Sequence, residues 1–318
     1  MALTTSNAKA VNTVAFFEGL TLSVNDDWRK IFDYREDDVS TLRLASLTGV
    51  GDVGKWNSGA GGTQAGSTTD INRVTVDSTG AKDLNFESYA VQVYLHKFDQ
   101  MDIPGIAQMA SRKLGQAVAH TYRSLAFGVL GDAFDASAMA MADTKALCSA
   151  THTTASGTRS NVLSTALDRS SFLNAMKLGK KWTNYQGQYT NLFDGDVCLV
   201  VAPDQEAAAL EFLNASYNRG ADTTVADATP GSEFGMQANA VRFMNGGAFV
   251  DLIVSPHLTA NKWFVVSKQE TPLRAWSRSA PLYTQHIDPD MRDNRLTVDF
   301  AVAFSAGPQS DGIVGADV

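Results

Sequence analysis

Seven glycines fall between Gly49 and Gly66, among Ala60, Ser58 and Thr63. Glycine brings no side chain to a core and costs extra backbone entropy to order, so this tract cannot build a core of its own. Its flanks read differently. Thr41 opens one strand-like segment, and Tyr89, Val91, Val93 and Leu95 alternate with polar neighbours in another. Ile71, Val74 and Val76 predict a short strand between them. Residues 41–98 therefore read as an extended loop with flanking strands. A structureless tract this long inside a globular chain is uncommon, and ordering against another molecule is one physical reason to keep it. At strand rise, an arm of about 20 residues spans roughly 65 Å, enough to leave the body of its own subunit.

The strongest periodicity follows. Ile106, Ala110, Leu114, Ala117, Thr121, Leu125 and Val129 recur at steps of three or four, predicting one long helix over residues 102–130. Asp102 and Pro104 suit its opening turn. At helical rise, roughly 28 residues reach about 42 Å, a spine well above the mean helix length. Residues 1–40 read as an N-terminal arm with one short helix near Asp26 to Phe32. Residues 131–166 look irregular. Asp168 caps a helix carrying Phe172, Met176 and Trp182, Val197 to Ala202 forms a buried strand, and Pro203 opens a further helix. Residues 249–254 and 263–266 read as paired strands around a turn at 256–261, and Leu296 to Phe304 alternates as a closing strand.

Bulk properties narrow the function. The 318 residues hold 26 basic against 34 acidic side chains, a formal charge of −8. A nucleic-acid grip needs clustered Lys and Arg, whereas here the densest spots are Arg112-Lys113 and Lys180-Lys181 on helix faces. Cys148 and Cys198 lie far apart and outside CxxC spacing, so they are expected reduced and buried, with a disulfide disfavoured. The longest apolar runs are too short to cross a bilayer, and the start lacks the order of a signal peptide.

Catalytic and cofactor motifs fail on context. Gly49, Gly51 and Gly54 match GxGxxG, but more glycine follows where that fingerprint needs a helix. The five histidines are scattered and lack zinc spacing, and Glu36-Asp37-Asp38 brings no liganding pattern. Ser255, His257 and Asp251 make a triad on paper only, without a nucleophile elbow. No cofactor, metal or enzymatic activity is expected. Two stretches suit contacts between subunits. Lys55, Trp56 and Asn57 place a large aromatic among the glycines. Asp290, Arg292, Asp293 and Arg295 mix both charge signs before the last strand and could select register.

The order of these elements resembles the major capsid proteins of tailed bacteriophages, in particular the Mu-like major head subunits. The likeness rests on Phe86 to Phe98 leading into Asp102-Ile103-Pro104-Gly105, on Val197 to Pro203 with its helix, and on Val250 to Val266 around Pro256. It implies an α+β, Hong Kong 97-like fold: an N-terminal arm (1–40), an extended loop (41–98), a peripheral domain with the spine helix (99–189), an axial domain (190–271) and return strands of the peripheral domain (272–318). It further implies a homo-oligomer of hexamers and pentamers enclosing double-stranded DNA in a virion assembled in the host cytoplasm. Scaffold, portal and cementing proteins would be partners, with no membrane. The short leader favours a separate scaffold or a processed product. An encapsulin-like shell and a soluble α/β enzyme are the rival readings.

Overall fold

The computed structural model describes residues 5–23, 26–38, 41–47, 78–96, 102–103, 105–154, 157–183, 189–214, 217–219, 236–238, 250–287 and 294–318. The chain opens with helix α1 (Thr5–Ser23), a 3-10 turn (Asp26–Lys30) and strand β1 (Asp33–Glu36). Strands β2 (Thr41–Leu47), β3 (Ser78–Asn85) and β4 (Glu87–Leu95) precede the spine helix α2 (Ile106–Gly131). Short strands β5 (His152–Thr154), β6 (Gly157–Arg159) and β7 (Val162–Leu163) lead to α3 (Arg169–Lys180). Then come β8 (Val197–Val201), α4 (Glu206–Asn214), β9 (Tyr217–Arg219), β10 (Met236–Ala238), β11 (Val250–Val254) and β12 (Lys262–Ser267). The long strands β13 (Leu273–Ile287) and β14 (Asn294–Ala306) and the terminal β15 (Ile313–Asp317) complete the chain.

A four-stranded sheet, ordered β1-β13-β14-β4, carries one alternating face onto α1 and α2. Leu296, Val298, Phe300 and Val302 of β14 are buried there beside Val118, Tyr122 and Leu130 of α2. An offset-stacked series of rings crosses this core. Tyr89 lies 5.4 Å from Phe300, Phe300 5.0 Å from Tyr122, and Tyr122 6.1 Å from Trp28, with interplanar angles of 19–21°. It ties the edge strand β4 through β14 and the spine to the N-terminal 3-10 turn.

A five-stranded sheet, ordered β11-β8-β12-β15-β7, has both faces covered. Val197, Leu199, Val201, Trp263 and Val265 face Phe172 and Met176 of α3 and Phe212 of α4. Cys198, Val200, Phe264 and Val266 face the spine-helix core instead. Burial on both sides explains why β8 reads as the unbroken apolar run Val-Cys-Leu-Val-Val rather than as an alternation.

Several expectations change. The spine begins at Ile106 rather than 102, because Gly105 takes a left-handed φ of 82° that forms the N-cap. Its buried face runs through Leu114, Val118, Tyr122, Ala126 and Leu130, leaving Ala117 exposed. The expected N-terminal arm is mostly helical, since α1 packs on the spine and precedes the short turn foreseen near Asp26. Residues 131–166 hold three short strands. The strands around 256–261 do not pair with each other: β8 lies between them, parallel to β11 and antiparallel to β12. Within the C-terminal segment, β13 and β14 join the four-stranded sheet, while β15 crosses to the five-stranded one. The strand expected at Ile71 to Val76 lies outside the described residues, as does Pro104.

Candidate assembly surface

β2 and β3 pair antiparallel from Thr41↔Asn85 to Leu47↔Ser78, so both ends of residues 48–77 leave from one two-stranded ribbon. The ribbon rests on the four-stranded sheet through Leu42, Leu44, Leu84 and Phe86, against Trp276 and Ala303. On β3, Lys82 is half-buried, and that desolvation lowers its pKa below the usual lysine value.

The strand ends flanking residues 288–293 are fixed from the other side. Asn12 Nδ2 of α1 donates to Gln285 Oε1 at 3.2 Å, and Gln285 Nε2 donates to the buried Asn294 Oδ1 at 3.0 Å. Next to Asn294, Arg295 stands between His286 of β13 and Tyr94 of β4. Its guanidinium lies 5.3 Å over the Tyr94 ring, and Tyr94 itself is 58% exposed. A stacked cation and a wet aromatic thus share one rim of the sheet, a pairing enriched where proteins dock.

Of the contact residues expected from sequence, the structure places Arg295 on this rim. Lys55, Trp56, Asn57, Asp290, Arg292 and Asp293 lie outside the described residues. The paper triad does not assemble. Asp251 pairs with Lys268, Ser255 is buried and accepts the His257 backbone amide at 3.3 Å, and the His257 ring packs on His120. Cys148 and Cys198 are free and buried; burial pushes both thiols up, Cys198 to about 11, so neither is a ready nucleophile.

Sequence reading missed a buried polar knot. His152 Nδ1 lies 2.8 Å from Asp143 Oδ2 and its Nε2 lies 3.2 Å from Asn161 Oδ1. Asn161 Nδ2 donates to the carbonyls of Leu147 and Ile313, tying the irregular segment to β15. Both imidazole nitrogens are thereby engaged, which makes the knot a brace and leaves no free nitrogen for a general base. Asp143, His152 and Asn161 follow one another at nine-residue steps, a spacing that matches no motif, and only the Ile313 carbonyl is distant in sequence. Among the described residues, no group of three or more His, Cys, Asp or Glu side chains is arranged to hold a metal. No described helix is long and apolar enough to cross a membrane.

A two-stranded ribbon, a long spine helix under a four-stranded sheet and an α/β unit on a second sheet together define a mixed α+β fold. The family profile described as phage capsid protein matches residues 86–314, more than half of the chain, and the chain belongs to that family. A search of curated proteins finds no match. Among solved structures, the capsid of Ralstonia phage GP4 aligns over 90% of this chain and 86% of its own, with a TM-score of 0.57 and 9% identity. The capsid of cyanophage P-SCSP1u aligns over 92% and 87%, at TM-score 0.56 and 8% identity. A virus-like particle from Pyrococcus furiosus aligns over 96% of both chains, at TM-score 0.54 and 10% identity. At such identities the likeness is one of fold. The matched family is one of structural capsid proteins.

Proposed function

We propose that this chain is the major head protein of a tailed phage, with a Hong Kong 97-like fold of the Mu-like type. It self-assembles into hexamers and pentamers of an icosahedral shell around double-stranded DNA, held without sequence-specific binding. The observation that carries this reading is the match of the phage capsid family across residues 86–314. Residues 1–40 serve as the arm, 41–98 as the extended loop lying over a neighbour, and 99–189 with 272–318 as the peripheral domain. Residues 190–271 form the axial domain. Scaffold, portal and cementing proteins are its partners in a virion assembled in the host cytoplasm. The acidic balance of −8 suits a container that must not adhere to phosphates. Obligate shells bury thousands of Å² per subunit, so stability resides largely between copies.

Electron microscopy of purified assemblies tests this. Closed icosahedral shells built of hexamers and pentamers are expected, and a monomeric or small-oligomer product would refute it. A second reading is favoured by the Pyrococcus furiosus particle: a compartment shell with a protein cargo. Particles that retain a cargo protein and lack DNA would select that alternative.

A further inference from the structure

The geometry points to a transition-metal site at His120 and His257, which clamps the spine helix to the turn between β11 and β12. His120 projects from the exposed side of α2, and His257 sits half-exposed on the turn, with their ring centres 4.9 Å apart and their planes at 75°. Two imidazoles on one zinc or nickel ion, with bonds of about 2.0–2.1 Å and an angle of about 90–109°, have ring centres roughly 4.5–5.2 Å apart. The observed separation falls inside that window. The terminal torsion of histidine is soft, so ring rotation can bring a donor nitrogen of each toward a shared point. Water would complete the coordination, as both rings reach solvent.

Arg123, near His257, is the cation that opposes a bound metal there, and Asp27 faces it at 3.8 Å. On the strand beyond the turn, Lys262 is turned away to cap the spine, with Nζ donating to Gly131 O at 2.9 Å. The site joins parts distant in sequence, because the turn also inserts Leu258 into the spine-helix core. A bridging ion there would resist separation of the spine from the five-stranded sheet.

Thermal melting of the purified full chain with zinc chloride, nickel chloride or magnesium chloride tests the site. Zinc and nickel at about a hundredfold excess over the dissociation constant are expected to raise the midpoint by a few degrees, while magnesium, which prefers oxygen ligands, leaves it unchanged. His120→Ala and His257→Ala should each abolish the shift, and His96→Ala should retain it. His120 is exposed, so its replacement leaves the fold intact. No shift in the native chain, or an equal shift in His120→Ala, would overturn the assignment.

Discussion

Gly115 of the spine meets Gly19 of the N-terminal helix backbone to backbone. A Cβ placed on Gly115 would lie 3.0 Å from the Gly19 carbonyl carbon and 2.2 Å from the Phe16 oxygen. The reciprocal atom on Gly19 would lie 2.1 Å from the Arg112 oxygen. Around this crossing, Phe16 stacks on Tyr283 at 5.0 Å and Arg112 pairs with Glu18 at 2.8 Å. Alanine is the better helix former by about 1 kcal/mol, but here its methyl meets backbone that cannot rotate aside. Gly115→Ala is predicted to cost about 1–3 kcal/mol net, and to expose residues 5–23 to proteases at rates well above the parent. Unchanged cleavage and melting would show that the crossing adapts.

The capping box at α3 offers a smaller, local test. Asp168 Oδ1 accepts the Ser171 amide at 2.6 Å, and Ser171 Oγ accepts the Asp168 amide at 2.8 Å. Asp168→Ala is expected to cost about 1 kcal/mol. Hydrogen exchange of the first-turn amides should quicken roughly fivefold, with the spine helix unaffected.

What the sequence reveals tracks how local each determinant is. The spine announces itself through its period, and α3 through Asp168, because both signals lie within a few residues. α1 does not. Its Val14 and Phe17 face outward while Phe16 points inward, and its place is set by contact with Gly115, about a hundred residues away. The strands flanking residues 255–261 look like a hairpin because consecutive strands usually neighbour each other. Here α4 returns the chain so that β11 lies parallel to β8, and Ser255 N donates to Val201 O at 3.0 Å before the chain crosses to β12. The His120–His257 pair is illegible for the same reason, since its members meet only through topology, whereas the His152 knot has nine-residue spacings that match no motif and is closed by the Ile313 carbonyl of β15. Among the expected contact residues, Arg295 could be picked out by its charge, but its ring partner Tyr94 follows only from strand register.

Acid should loosen the segment around His152. Burial raises the Asp143 pKa, but the hydrogen bond from His152 and the amides of Lys145 and Thr153 outweigh it, so the carboxyl titrates below the ordinary aspartate value. An acid depressed in the folded state binds its proton more readily when unfolded. The resulting stability is complete above the unfolded value and is lost as pH falls through the folded one. Between about pH 6 and pH 3, the melting point of the native chain should drop more steeply than that of Asp143→Asn. Parallel curves would remove Asp143 as a source of acid sensitivity.

Trp56 separates assembly from folding. In sequence it is the one large aromatic among the glycines of residues 49–66, and an aromatic anchor on a neighbour can contribute 2 kcal/mol or more, by the usual order of magnitude for such hot spots. If the proposed loop contact holds, Trp56→Ala should raise the critical concentration for assembly by roughly tenfold to thirtyfold, read by light scattering. The unassembled subunit should melt where the parent does, since the ribbon root at Leu42, Leu44 and Leu84 is untouched. Limited proteolysis adds an independent readout: cleavage between Gly49 and Gly66 should be strongly suppressed in assembled material. Equal loss of subunit stability and assembly in Trp56→Ala, together with equal cleavage in both states, would place that side chain on its own subunit instead of a neighbour's.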